Sequence, residues 1–97
     1  MYAVVVLFKI KAESAARFAN LVLANAKLSL DEEPKCHQFD VCFNAEKPEE
    51  IFLYELYTDK AAFDTHLASD HFLSFAKKTA DMVESKELRL YADVVQY

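Results

Sequence analysis

Glycine is absent from all 97 residues. That removes the motifs in which a glycine-rich loop brings backbone N–H groups against a phosphate, the P-loop and the dinucleotide fingerprint alike. NAD(P) or ATP held in the usual ways is therefore not expected. Arginine is scarce: Arg17 and Arg89 are the only two, and the formal net charge is −5. No basic face is left to track a phosphate backbone, so nucleic acid is not an expected partner. No run reaches the roughly 20 apolar residues that a membrane-spanning helix requires, so no membrane partner is expected. Met1 leads directly into an apolar stretch closed by Lys9 and Lys11, without the basic leader of a signal peptide. The expected location is cytoplasmic. Cysteine occurs only at Cys36 and Cys42. On one extended strand they stand about 20 Å apart, too far to bridge, and both are read as free thiols in a reducing compartment.

What is present is globular in character: 54% of residues are hydrophobic and 28% charged. We expect a single domain over residues 1–97. A chain of this length buries only about two-thirds of the surface its unfolded state exposes, so a second subunit would add needed burial.

Tyr2 to Ile10 is β-branched and aromatic, and apolar on both alternating faces apart from Lys9, the pattern of a central strand covered on both sides. Ser14 is positioned to cap a first helix, in which Phe18, Leu21, Val22 and Leu28 form an apolar stripe interrupted by Asn25. That helix is expected to end before a turn at Asp31-Glu32-Glu33-Pro34. Cys36 to Phe43 alternates, with His37, Phe39, Val41 and Phe43 on one face, and reads as a second strand. Asn44 to Glu50 makes a hairpin loop, and Ile51 to Tyr57 returns antiparallel. Asp59 or Thr58 caps a short helix through Leu67, Ser69 caps another, and Lys86 to Val95 closes the chain as a fourth strand.

The order βαββαβ, with the second helix broken, gives an α+β ferredoxin-like fold with an antiparallel sheet and helices on one face. Helices cover only one side of strands that are apolar on both. A second sheet packed on the other side, in a homodimer with a two-fold axis, would cover the rest.

The residues that could carry chemistry cluster from Glu55 to Phe75. Glu55 shares a strand face with Ile51, Leu53 and Tyr57, so folding desolvates it and raises its pKa unless a cation or donors compensate. His66 falls three residues after Phe63 on the inward side of its helix and is the expected compensator. A Glu55–His66 pair would orient one imidazole nitrogen and leave the other to move a proton. The plainer alternatives are a Glu55 hydrogen-bonded to a helix terminus and a His66 satisfied within the core. His71 lies in the first turn of its helix, where the dipole disfavours its charged form, which suits a neutral donor or pocket wall. Two histidines and a carboxylate form a recognised non-haem iron set. The spacing H-x-x-x-x-H nevertheless crosses a helix break and matches no standard signature, so no metal is expected. Tyr57, Phe39, Phe63, Phe72 and Phe75 are core residues that could also line a pocket for a flat apolar ligand.

F-L-Y-E-L-Y (Phe52 to Tyr57) followed by A-F-D-T-H-L-A-S-D-H-F (Ala62 to Phe72) resembles the antibiotic biosynthesis monooxygenase (ABM) domain family of dimeric α/β barrels, over nearly the whole chain. In that family a strand bearing glutamate, with an aromatic two residues on, leads into a helix bearing histidine, then a small residue and a second histidine. Glu55, Tyr57, His66, Ser69 and His71 stand at those positions. The family includes monooxygenases that oxidise quinols and polyketide phenols without metal or flavin, haem-degrading enzymes, and an isomerase of phosphorylated autoinducer-2. The Q-F-D-V and F-L-Y-E-L-Y strands look closest to the isomerase and the quinol monooxygenases. Haem-degrading members carry an asparagine on the first strand and a ligating histidine late in the second helical region. This chain has neither, so haem is not expected.

The resemblance implies a monooxygenase that needs no cofactor, oxidising a small quinol or phenol with O2, with His66 and Glu55 catalytic and Tyr57, His71, Phe39, Phe63, Phe72 and Phe75 around the substrate. The alternatives are an isomerase of a small phosphorylated hydroxycarbonyl compound, which would want a cation at the pocket, and a non-catalytic dimeric binding module. Phe39, Phe63 and Phe75 closing the space between sheet and helices would favour the last.

Overall fold

The computed structural model describes residues 1–97. In chain order it holds β1 (Tyr2–Ile10), α1 (Ala15–Glu32), β2 (Cys36–Phe43), β3 (Glu50–Tyr57), α2 (Lys60–Leu67), α3 (Asp70–Thr79) and β4 (Val83–Tyr91), with short 3-10 turns at Ala12–Ser14 and Ala80–Met82. The four strands form one antiparallel sheet in the order β2-β3-β1-β4. This is the α+β ferredoxin-like arrangement expected from the order of elements. No helix is long and apolar enough to cross a membrane.

The period of two along β1 turns Tyr2, Val4, Val6, Phe8 and Ile10 toward the helices, where all five are buried. Phe18 of α1 seats itself on that surface. It is wholly buried, with its ring 5.0 Å from Phe8 and 5.7 Å from Phe75, and it ties the first helix to both the sheet and α3. On the opposite face Val5, Leu7 and Tyr54 are half-buried and Phe52 is exposed.

Several boundaries differ from the sequence expectations, each for a local reason. α1 runs through Asp31 and Glu32 instead of stopping before them. It ends at Glu33 because Pro34 follows: the proline ring disfavours helical backbone in the residue before it, and Glu33 is extended at φ −105, ψ 102. Ser14 makes no side-chain cap, since the preceding 3-10 turn already holds it in helical conformation. Leu28 is 40% exposed. The buried stripe of α1 is Phe18, Val22, Asn25, Ala26 and Ser29, which steps by four and three and includes two polar residues.

In β2 a register shift between Cys36 and Gln38 leaves His37 exposed and turns Cys36 inward beside Phe39. His37 bonds Thr58 Oγ1 at 2.7 Å. β4 starts at Val83 and not at Lys86, and the N–H of Lys11 donates to the carbonyl of Met82 at the strand's threshold. It stops at Tyr91, paired with Ala3, because β1 runs out there and Ala92 to Val95 have no strand left to join.

Candidate functional site

The break between α2 and α3 is built from two caps. Asp59 accepts from the N–H of Ala62 at 2.8 Å and starts α2. Ser69 accepts from the N–H of Phe72, and its own hydroxyl donates to the carbonyl of His66 at 2.6 Å. The serine thus ties the last turn of α2 to the first turn of α3. His66 and His71, on either side of that joint, both face the end of α1.

Glu33 meets them there. His66 Nδ1 lies 2.8 Å and His71 Nε2 2.5 Å from the same oxygen, Glu33 Oε2. With a carboxylate oxygen as common acceptor, the proton of each imidazole is assigned to the nitrogen facing Glu33. His66 therefore carries its proton on Nδ1 and keeps the Nε2 lone pair. His71 is approached on its other side by Glu32, with Oε2 3.6 Å from Nδ1. One ring nitrogen from each histidine and a Glu33 carboxylate oxygen lie within 4.8 Å of one another.

His66 is only 2% exposed and is packed among the rings of Phe39, Tyr57, Phe63 and Phe72, with centroids 5.1 to 6.2 Å away. Burial lowers its pKa. The hydrogen bond and charge of Glu33 pull back upward, and His71 adds to the lowering. The outcome at pH 7 is a neutral imidazole, an acceptor at Nε2.

Glu55 and Tyr57 form a second pair. Two residues apart on one strand, they share a face, and the phenol donates to Glu55 Oε1 at 2.6 Å. Burial pushes the Glu55 carboxyl up to about 7. The Tyr57 hydrogen bond and the Lys86 charge oppose this, while Glu33 adds to it. The phenol of Tyr57 is driven far above its ordinary range, first by burial and then by the charge and hydrogen bond of Glu55. Next to it the Cys36 thiol is raised to about 11 by burial, then by Glu33 and Glu55.

A cavity of about 50 Å3 remains between sheet and helices. Glu55, His66, Asn25 and Lys86 bring polar groups to its wall, and Phe39, Phe63, Phe72 and Phe75 supply much of the rest. The phenylalanines narrow this space without closing it. Asn25 is 4% exposed, and its Oδ1 is a buried oxygen with no hydrogen-bond partner. An orphaned acceptor at that depth costs about 1–3 kcal/mol unless something binds it.

Of the residues singled out in the sequence, Glu55, His66 and the four phenylalanines thus meet at one cavity. Tyr57 and His71 do not line it: each stands behind a lining residue, Tyr57 behind Glu55 and His71 behind His66. The expected Glu55–His66 hydrogen bond is not formed. Glu33 occupies the place assigned to Glu55, because the end of α1 reaches the histidines while Glu55 is taken by its strand neighbour.

The model of the family described as antibiotic biosynthesis monooxygenase matches residues 1–78. The chain belongs to the antibiotic biosynthesis monooxygenase family. Solved structures of similar proteins agree with this ABM fold over almost the entire chain. A Nitrosomonas europaea protein, provisionally described as an antibiotic biosynthesis monooxygenase, is 25% identical with a TM-score of 0.91, over 98% of this chain and 100% of its own. A conserved protein from Methanosarcina mazei Go1 is 26% identical with a TM-score of 0.86, over 96% and 92%. Rv0793 from Mycobacterium tuberculosis, at 21% identity and a TM-score of 0.88 over 98% and 96%, shares the fold. No curated protein matches the chain.

In this ABM domain the residues missed by sequence reasoning are Glu33, Asn25 and Lys86. Glu33 sits in an acidic run before a proline, and nothing local separates it from Asp31 and Glu32. Asn25 did carry a signal, as the polar interruption of an apolar stripe. Lys86 comes from the edge strand, where it lies over the Phe8 ring with Nζ 5.7 Å from the centroid.

Proposed function

We propose that this ABM domain is a monooxygenase that needs no cofactor and oxidises a small dihydroxy-aromatic compound with O2. The observation that carries this reading is the neutral His66, its Nδ1 held by Glu33, on the wall of a cavity that also holds the raised Glu55 carboxyl. A phenol with a pKa of about 10 gives up an electron readily only as phenolate, and removing its proton at pH 7 costs roughly 4 kcal/mol at about 1.36 kcal/mol per unit. His66 Nε2 takes that proton. The Glu33 carboxylate stabilises the imidazolium that forms and fixes the ring's orientation.

The phenolate then passes electrons to O2. One oxygen atom enters the ring and the other leaves as water, so a dihydroxybenzene and O2 give a hydroxyquinone and H2O, with all four electrons supplied by the substrate. The phenylalanines keep bulk water from the reduced-oxygen intermediate. A 50 Å3 cavity has room for only one or two water-sized groups, at about 30 Å3 each. The aromatic ring therefore enters as the rim residues Leu67 and Lys86, both exposed, move aside.

The test is oxygen uptake by the metal-stripped protein with a panel of hydroquinones and catechols. His66→Ala is expected to lower turnover by about 10²–10⁴-fold, the usual share of a general base. Turnover unchanged in His66→Ala would overturn the assignment.

Lys86 at the cavity wall favours a second reading, an isomerase of a small phosphorylated hydroxycarbonyl compound, with Lys86 on the phosphate and Glu55 and His66 moving the proton. Neither arginine lines the cavity, and Arg89 is engaged by Glu87. Competitive inhibition by inorganic phosphate without oxygen uptake would select this reading.

The homodimer belongs to the same proposal. The helix-free face of the sheet holds Val5, Leu7, Phe52 and Tyr54 and a depression of about 480 Å3 beside Leu7 and Phe52, and a second sheet would cover it. Sedimentation velocity should give twice the chain mass; a monomer at micromolar concentration would contradict this.

A further inference from the structure

We infer that Glu33, His66 and His71 form a binding site for a divalent first-row metal ion of the Zn2+ or Co2+ kind, and that occupation of the site disables His66 as a base. The donor set is two imidazole nitrogens and one carboxylate oxygen, which suits these ions. Three separate elements deliver it: the end of α1, the last turn of α2 and the first turn of α3. The ligating atoms fall within 4.8 Å of one another. The spacing between the two histidines gave no warning of this, because the third ligand comes from a residue 33 positions before His66.

The surroundings are also those of a metal site. A ligating histidine typically donates its other N–H to a carboxylate, which fixes its tautomer and raises its basicity. Glu32 is near that position without bonding yet, its Oε2 3.6 Å from His71 Nδ1 while Nε2 faces Glu33, and a slight approach would bring the two within hydrogen-bond reach. The side chains of His66, His71 and Glu33 are 3%, 7% and 9% exposed, so the donors are held in place by packing. Ligand bonds of about 2.0–2.2 Å put donor atoms about 3.3 Å apart around a tetrahedral ion. Glu33 Oε2 now lies 2.8 and 2.5 Å from the two nitrogens. Accommodation therefore needs both Glu33 contacts to lengthen by about 0.5–0.8 Å, and the two imidazole nitrogens, which lie within 4.8 Å of each other, to settle at the same spacing of about 3.3 Å.

The consequence for His66 follows from its tautomer. A metal takes the lone pair of Nδ1, so the single proton of the neutral ring must move to Nε2. The nitrogen that accepts a proton in the metal-free protein becomes a donor. Binding of the ion does not depend on the monooxygenase reading; only the effect on turnover rests on it.

Isothermal titration of the metal-stripped protein with Zn2+, repeated with Co2+, tests the site. One ion per chain with about micromolar affinity is expected. Glu33→Gln and His71→Ala should each weaken binding by about 100-fold or more, and the exposed Glu32→Ala, which carries no folding risk, by about 10-fold, the effect of losing an outer carboxylate. His37→Ala and Cys42→Ser should leave binding unchanged. No saturable binding, binding indifferent to Glu33→Gln and His71→Ala, or binding abolished by His37→Ala would each overturn the site. In an active preparation one equivalent of Zn2+ should stop oxygen uptake. Binding without inhibition would leave the site standing and overturn the role of His66 as base.

Discussion

Replacing Glu55 by glutamine should make the protein more stable at pH 8, by about 1–3 kcal/mol, and should remove a pH dependence that the native protein carries. Burial raises the Glu55 pKa from 4.5 to about 7, so the folded state binds this proton more tightly than the unfolded chain does. A carboxyl raised on folding favours the native state at low pH, and its contribution is lost as pH rises from 4.5 through 7. A rise of roughly 2.5 units corresponds to about 3 kcal/mol at 1.36 kcal/mol per unit. Glutamine still accepts from Tyr57 but must satisfy an amide N–H2, which offsets part of the gain. His66 works in the opposite sense: its lowered pKa withdraws stability as pH falls below 6.5. The clean observable is therefore the difference between native protein and variant in the unfolding free energy obtained from urea titrations. That difference should fall by about 3 kcal/mol between pH 4.5 and pH 8; a flat difference would show that Glu55 is not desolvated. A group that lowers stability at neutral pH on the wall of a cavity is a common mark of a functional site.

Glu33→Ala should have the largest effect on folding of any single polar substitution. Glu33 accepts from two imidazoles, and deleting it leaves the buried Nδ1–H of His66 and the part-buried Nε2–H of His71 without an acceptor. At about 1.5–3 kcal/mol for each hydrogen bond to a charged group, the loss is about 3–6 kcal/mol. A domain of this size shifts by about 4–8 °C per kcal/mol, so the melting temperature should fall by at least about 12 °C. The exposed neighbour Glu32→Ala serves as control. Equal melting temperatures for the two variants would mean that Glu33 is not the acceptor described.

The parts of this molecule that depend on local period were legible in the sequence. β1 is a run of β-branched and aromatic residues and lies at the centre of the sheet. The pairing of Glu55 with Tyr57 follows from two residues on one strand face, although the sequence reading assigned Glu55 to His66. The caps Asp59 and Ser69 mark the two helices and the joint that aims both histidines. What depends on tertiary approach was not legible. Glu33 reaches the histidines only because α1 continues to Glu32 and Pro34 then sets the backbone, and one acidic residue in a run of three looks like the others. The end of β4 depends on where its partner β1 begins, which β4's own residues do not encode. The inward turn of Cys36 depends on a register shift, and a pattern of strict alternation places it on the wrong face.

The central claim is that Glu33, and not Glu55, holds His66 with Nε2 free to accept a proton. Nitrogen-15 NMR of the imidazoles at pH 7.5 tests it directly. His66 should show a protonated Nδ1 and an unprotonated Nε2, a pattern kept in Glu55→Gln and altered in Glu33→Gln. A His66 protonated on Nε2, or a tautomer that responds to Glu55→Gln and ignores Glu33→Gln, would contradict the account.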